Sequence, residues 1–209
     1  MRNNIHNKIS SLQRSLVHMP ENLLNLDFEK LKNEKTFLIY MQSMEPSLVV
    51  YNAMFPFLVS LIEFMFKESF IIMIRYDDKA QGIIAKDNFK VPLDDVFKIS
   101  SGKILIEDVI AGNFTFQNLG QVNKAYKTYL TIDIANIFSK KRKVGSNFYR
   151  IYQKIEEIIQ IRHSIIHHFG FYTDIDKATF LNSLKTIEIA LDMFLRHLEN
   201  KYKWSIKDL

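Results

Sequence analysis

From Pro46 to Phe66 the chain reads PSLVVYNAMFPFLVSLIEFMF, with Glu63 as its only charged residue. A helix of that length and apolarity has no polar face to turn toward water. It must either cross a membrane or be wrapped by other elements. Asn52 and Pro56 lie within it, and Lys67 and Glu68 follow at once. A buried helix of an all-α domain explains these residues more cheaply than a lone membrane span, so no membrane partner is expected. The helix is expected over 46–75, broken or started near Pro56. The chain can cover such a helix: it has 209 residues, of which 47% are hydrophobic and 24% charged. With Gly at 6 and Pro at 4, helices have few interruptions.

The remaining segments fit that scheme. Ile5, Ile9, Leu12, Leu16 and Met19 mark one face of a helix over 5–19, which Pro20 stops. Residues 21–45 predict a second short helix or a mixed connection. DDKAQG (77–82) is a polar break. Residues 83–117 mix β-rich runs such as KILIEDVI (103–110) with turn signals, and predict an irregular insertion of short helices with room for a small hairpin. Helical spacing returns over 120–138, KKRKVG (140–145) reads as a basic loop, and a helix is expected over 147–169 with Gly170 at its stop. TDIDK (173–177) offers N-caps for an amphipathic helix over 178–200. The expected fold is mainly all-α: a single domain, 1–209, built as a helical bundle. Its core falls at about 46–76 and 120–200, with a helical extension at 1–45 and the insertion at 83–117.

Cysteine is absent, which removes disulfides, thiolate metal sites and a Cys nucleophile, and fits a reducing cytosol. MRNNIHNKIS lacks the apolar run of a signal peptide, so a cytoplasmic protein is expected. The net charge of +5 is compatible with a nucleic-acid partner. KKRKV (140–144) has the look of a nuclear import signal, but reads more simply as a solvated basic loop. Lys140, Lys141, Arg142 and Lys143 stand just before the next helix, where they can hold phosphates.

That next helix carries the chain's densest polar cluster, QIRHSIIHHFG at 160–170. With about 100° per residue, Ile151, Ile155, Ile158, Ile159, Ile165, Ile166 and Phe169 share one stripe, and Gln153, Glu156, Glu157, Gln160 and Ser164 lie opposite. Arg162 falls in the middle of the apolar stripe. A guanidinium cannot escape its charge by deprotonating, so it needs a carboxylate or a polar cleft. His163 and His167, four apart, stack along one flank, and His168 points away. Either the arginine is a structural one held by an acid, or it belongs to a functional site together with the histidines.

The run Arg162-His163-Ser164-Ile165-Ile166-His167 resembles the R-x4-H signature of the HEPN superfamily (higher eukaryotes and prokaryotes nucleotide-binding), in which a polar residue directly follows the arginine. The family motif ends a helix in the second half of a small bundle and precedes one more amphipathic helix, an order similar to that of 147–169 and 178–200. Some members carry an acid and a base four apart on an earlier helix. Glu63 and Lys67 match that pattern. The resemblance covers 46–200 loosely and 160–168 closely, and residues 83–117 match nothing in it.

The resemblance implies a metal-independent endoribonuclease, a toxin or phage-defence factor of toxin–antitoxin type. It would act as a homodimer whose 147–169 helices line the seam, and would need no cofactor. The residue types suit that chemistry. RNA supplies its own 2′-OH nucleophile; histidine can take or give a proton near neutrality, and arginine's planar fork matches phosphate oxygens. Arg162 and His167 are the expected catalytic residues, supported by His163, Glu63 and Lys67. Glu63 either orients Arg162 or pairs with Lys67 on a solvated face. The alternative is a non-catalytic module that binds nucleotide or RNA, or that partners a nucleotidyltransferase-type antitoxin. His163 and His167 also have a metal-ligand spacing, but no H-E-x-x-H pattern accompanies them and no metal is expected. No Gly-rich phosphate loop, G-x-S-x-G elbow or paired-carboxylate signature is present.

Overall fold

The computed structural model describes residues 46–87, 90–167 and 172–203. Helix takes 74% of them, and a two-stranded sheet is the only β structure among them. The elements in order are α1 (Pro46–Tyr76), α2 (Asp78–Ile84), α3 (Leu93–Ser100), α4 (Ile106–Gly112), α5 (Leu119–Leu130), α6 (Ile134–Phe138), β1 (Lys141–Val144), β2 (Asn147–Arg150), α7 (Ile151–His167) and α8 (Lys177–Tyr202). The expected helix over 5–19 and the mixed segment 21–45 lie outside the described residues.

α1 is the axis of the bundle. Residues 69–74 are buried in unbroken succession, which a helix achieves only when it is covered on every side. The helix runs through Pro56 without a break. No helix among the described residues is long and apolar enough to cross a membrane. α8 runs parallel to α1: the Tyr51 and Phe180 rings sit 5.5 Å apart near the two starts and Phe66 and Phe194 5.3 Å apart in the middle. At the far ends Tyr202 donates its hydroxyl to Asp77 at 2.8 Å. The second oxygen of Asp77 caps α2 by accepting from Lys79 N and Ala80 N, so one carboxylate both turns the chain after α1 and holds the end of α8. Burial and that carboxylate push the Tyr202 phenol far above its usual pKa.

Phe66 is the hub of the core. Its ring meets Tyr126, Phe138 and Phe194, and its carbonyl accepts the Tyr126 hydroxyl at 2.7 Å. Phe70 extends the cluster to Phe114, Phe116 and Tyr129.

Several segments differ from their sequence expectation. The polar break after α1 is the single residue Asp77, and 78–84 is helical. KILIEDVI forms no hairpin: Asp108 accepts from Leu105 N at 2.9 Å and starts α4, which buries Ile110 and Ala111. With Phe116 also buried, the stretch 106–117 belongs to the core. α3, by contrast, buries nothing. The helix expected over 120–138 breaks at Thr131, whose φ of 53° ends α5 in a left-handed turn. Lys201 donates to Leu130 O, Thr131 O and Thr131 Oγ1 and caps that end.

The hairpin stands instead at 141–150. The expected basic loop is β1, and the first four residues of the expected helix are β2. Gly145, at φ +60°, makes the turn that a β-carbon would strain, and Val144, Phe148 and Tyr149 suit strands.

Asn52, polar within the apolar run, is 4% exposed and fully used. Its amide donates to Leu48 O at 2.8 Å and to Tyr172 O at 2.9 Å, and its oxygen accepts from Tyr172 N at 2.9 Å. The pair of bonds to Tyr172 imitates one rung of a β ladder. It pins the chain after α7 to the second turn of α1. Replacing Asn52 by Leu keeps the volume but strands both backbone groups of Tyr172. We expect about 2–3 kcal/mol of destabilisation, read as a fall in melting temperature of about 4–10 °C.

Candidate functional site

α7 follows directly from β2 and packs against both α1 and α8. Its burial fades along its length. Ile151 and Ile155 are fully buried and Ile158 is 3% exposed; Ile161, Arg162 and Ile165 are half-buried, and Ile166 is 45% exposed. The spacing 151, 155, 158, 162, 165 is one continuous face. Arg162 therefore continues the core stripe where it emerges from the bundle.

Among the described residues no carboxylate pairs with Arg162, and no side-chain hydrogen bond engages it. The acids nearest in sequence, Glu156 and Glu157, are exposed on the other side of α7, and Glu157 is taken by Lys154. His163 and His167 are exposed, and their rings lie 4.5 Å apart at 43°, as the i, i+4 spacing requires. The arginine and the two histidines thus occupy the last turns of one helix, at the solvent margin of an apolar stripe. His168 and Gly170 lie outside the described residues.

Glu63 is engaged with a residue other than Arg162 or Lys67. Its carboxylate accepts from Gln117 Nε2 at 2.6 Å, and no ion pair joins it to Arg162 or Lys67 among the described residues. Gln117 is carried there by its buried neighbour Phe116. Lys67 is exposed. Among the described residues no hydrogen bond or ion pair joins either residue to the α7 cluster.

The basic residues are on the hairpin. Lys140, Lys141, Arg142 and Lys143 are all exposed. Val144 is buried against the bundle, and a β-carbon on Gly145 would come within 3.1 Å of Asn182 Oδ1, so the turn rests on the first part of α8. α8 begins beside Tyr51, and the chain after α7 is tied to Asn52. The hairpin tip and the Arg162–His167 end of α7 therefore point toward the same end of the bundle. Lys154 lies 4.5 Å from the centre of the Tyr149 ring and joins β2 to α7.

No group of three or more His, Cys, Asp or Glu among the described residues is arranged to hold a metal ion. What the cluster offers is one permanent cation and two imidazoles on an open surface, a combination that can hold a phosphate and exchange protons with it.

Comparison with family models, with curated proteins and with solved structures gives no match. The residues and their geometry therefore carry the functional argument.

An arginine placed for stability and one placed for a ligand respond differently to removal. Breaking a buried ion pair costs about 3–5 kcal/mol. Arg162 has no such partner in the described structure, so Arg162→Leu should leave the melting temperature within about 2 °C of wild type or raise it. A fall of about 6 °C or more would mark it as a structural cation.

Proposed function

We propose that this chain is an HEPN-like, metal-independent endoribonuclease with Arg162 and His167 at its centre. The observation that carries the reading is Arg162 itself. It continues a core stripe, half-buried, with no anionic partner among the described residues, beside two exposed histidines. A cation in that position is prepared for an anion that arrives from outside, and the phosphodiester of RNA is such an anion.

The reaction uses the substrate's own nucleophile. A base removes the 2′-OH proton, and the oxygen attacks the adjacent phosphorus. The bond to the 5′-oxygen breaks, and an acid supplies that oxygen with a proton. The products are a 2′,3′-cyclic phosphate and a 5′-hydroxyl. Arg162 stabilises the charge on the phosphorane, and imidazoles handle the protons. His163 and His167 stand too close together to take opposite faces of one phosphate, so acid and base come from two copies of the chain across a two-fold axis. Ile166, exposed, and Ile161 and Ile165, half-exposed, give that seam apolar surface beside the reactive groups. In this reading the chain acts in the cytoplasm as an RNase toxin or phage-defence factor restrained by an antitoxin.

The test is cleavage of single-stranded RNA in excess EDTA. Wild type should cleave, and the ends should be cyclic phosphate and 5′-hydroxyl. Arg162→Ala should lose about 10²–10³ in rate and His167→Ala about 10²–10⁴. If the three proteins behave alike, the reading fails. Binding of RNA that depends on Arg162, without cleavage, would instead indicate a non-catalytic module.

A further inference from the structure

The hairpin has two unlike faces. In its register Lys141 pairs with Arg150, Arg142 with Tyr149, Lys143 with Phe148 and Val144 with Asn147. Cross-strand partners and alternate residues share a face. Val144, buried, and Tyr149, half-buried, mark the face that packs on the bundle. The opposite face is Lys141, Lys143, Phe148 and Arg150, all exposed, with the Phe148 ring 67% exposed. The ring has no part in the hydrophobic core of the described residues. An apolar ring that meets solvent among three cations is explained by what those four residues can hold together.

The surrounding charge favours the same reading. Residues 134–155 contain six Lys and Arg and no Asp or Glu. The chain as a whole has 28 Lys and Arg against 23 Asp and Glu, so outside this stretch 22 cations face 23 acids. The entire basic excess of the protein is concentrated on and around this hairpin.

We propose that the outer face of the hairpin is a binding platform for single-stranded nucleic acid, in which Phe148 stacks on a base while Lys141, Lys143 and Arg150 take the neighbouring phosphates. Successive cations on one strand face are about 6.8 Å apart, a spacing that suits an extended, unstacked strand. An exposed ring needs an unpaired base to stack on, so duplexes bind by charge alone. A membrane surface is the weaker candidate. The leading edge of the hairpin is Gly145, Ser146 and Asn147, which has nothing to insert, and the only ring of the outer face lies behind it. The platform shares with the proposed function the expectation of a nucleic-acid partner but does not depend on cleavage. Its binding face adds stacking and three further cations to the grip of Arg162 and the histidines.

The experiment measures binding by the full chain of fluorescein-labelled 2′-O-methyl oligouridine, which has no 2′-OH to react, across a series of salt concentrations. Its duplex and vesicles of phosphatidylserine and phosphatidylcholine serve as comparisons. Phe148→Ala should weaken single-strand binding about ten- to a hundredfold and leave the salt slope unchanged. Phe148→Tyr should restore it and Phe148→Leu should not, because leucine is apolar but cannot stack. Neutralising Lys141, Lys143 and Arg150 to Gln should reduce the salt slope by about 2. Duplex binding should be insensitive to the ring. Wild-type affinity in Phe148→Ala, full rescue by Phe148→Leu, or vesicle binding in place of oligonucleotide binding would each overturn the proposal. Arg162→Ala should lose cleavage of ordinary RNA, and adding Phe148→Ala to it should still weaken binding of this uncleavable strand about ten- to a hundredfold. Loss of cleavage with platform binding intact, or the reverse, separates the two assignments.

Discussion

α1 determines the rest of the molecule because it cannot be left uncovered. Six successive buried positions, 69–74, commit neighbours to all sides of its last part, while Phe57 and Phe64 stay exposed on the part before it. α8 lies along its whole length, α5 and α4 cover its second half, and α7 takes part of what remains. An apolar rod of this kind gives the hydrophobic effect one continuous surface to remove from water. Two of its polar residues are fastened to distant parts of the chain: Asn52 to the backbone of Tyr172, and Glu63 to Gln117. The Asn52 clasp matters most for the site, because it fixes where the chain goes after α7 and therefore which end of the bundle the histidines occupy.

The site follows from a mismatch between two lengths. The apolar face of α7 is longer than the surface that covers it. Ile151, Ile155 and Ile158 use up the cover, and the same face then runs on through Arg162, Ile165 and Ile166 into solvent. Arginine is well suited to that margin, because its methylenes can lie on apolar neighbours while its head stays wet. The hairpin just before α7 adds a second positive region from the same stretch of sequence, with Val144 and Tyr149 turned inward and Lys141, Lys143 and Phe148 outward.

The helices with strong periodicity were legible in the sequence. α8, with Phe180, Leu184, Ile187, Leu191, Phe194 and Leu198, appears within two residues of its expected bounds. α1 was legible from its apolarity, and Pro56 proved no obstacle to it. Arg162 at the centre of its stripe could be placed by counting turns. What escaped depended on information the local pattern does not hold. KKRK resembles any solvated run, and only the glycine turn followed by NFYR signals a strand returning beside it. Thr131 gives no glycine-like warning of its left-handed turn, since the cap that satisfies it, Lys201, comes from the far end of the chain. Glu63 had two chemically reasonable partners on paper, Arg162 and Lys67. In the fold it accepts instead from Gln117, 54 residues away, which spacing along a helix could not suggest.

The fading burial of α7 has a dynamic corollary. Its first half is clamped between two larger helices, and its last turns are half-buried or exposed. Amide protons near Ile155 should therefore exchange only with broad opening of the bundle, and those near Ile166 through brief local fraying. A guest that grips Arg162 and the histidines would lend those turns the order that the core does not provide. Affinity there would carry an entropic charge, and the helix would lengthen its quiet portion as it closed on its ligand.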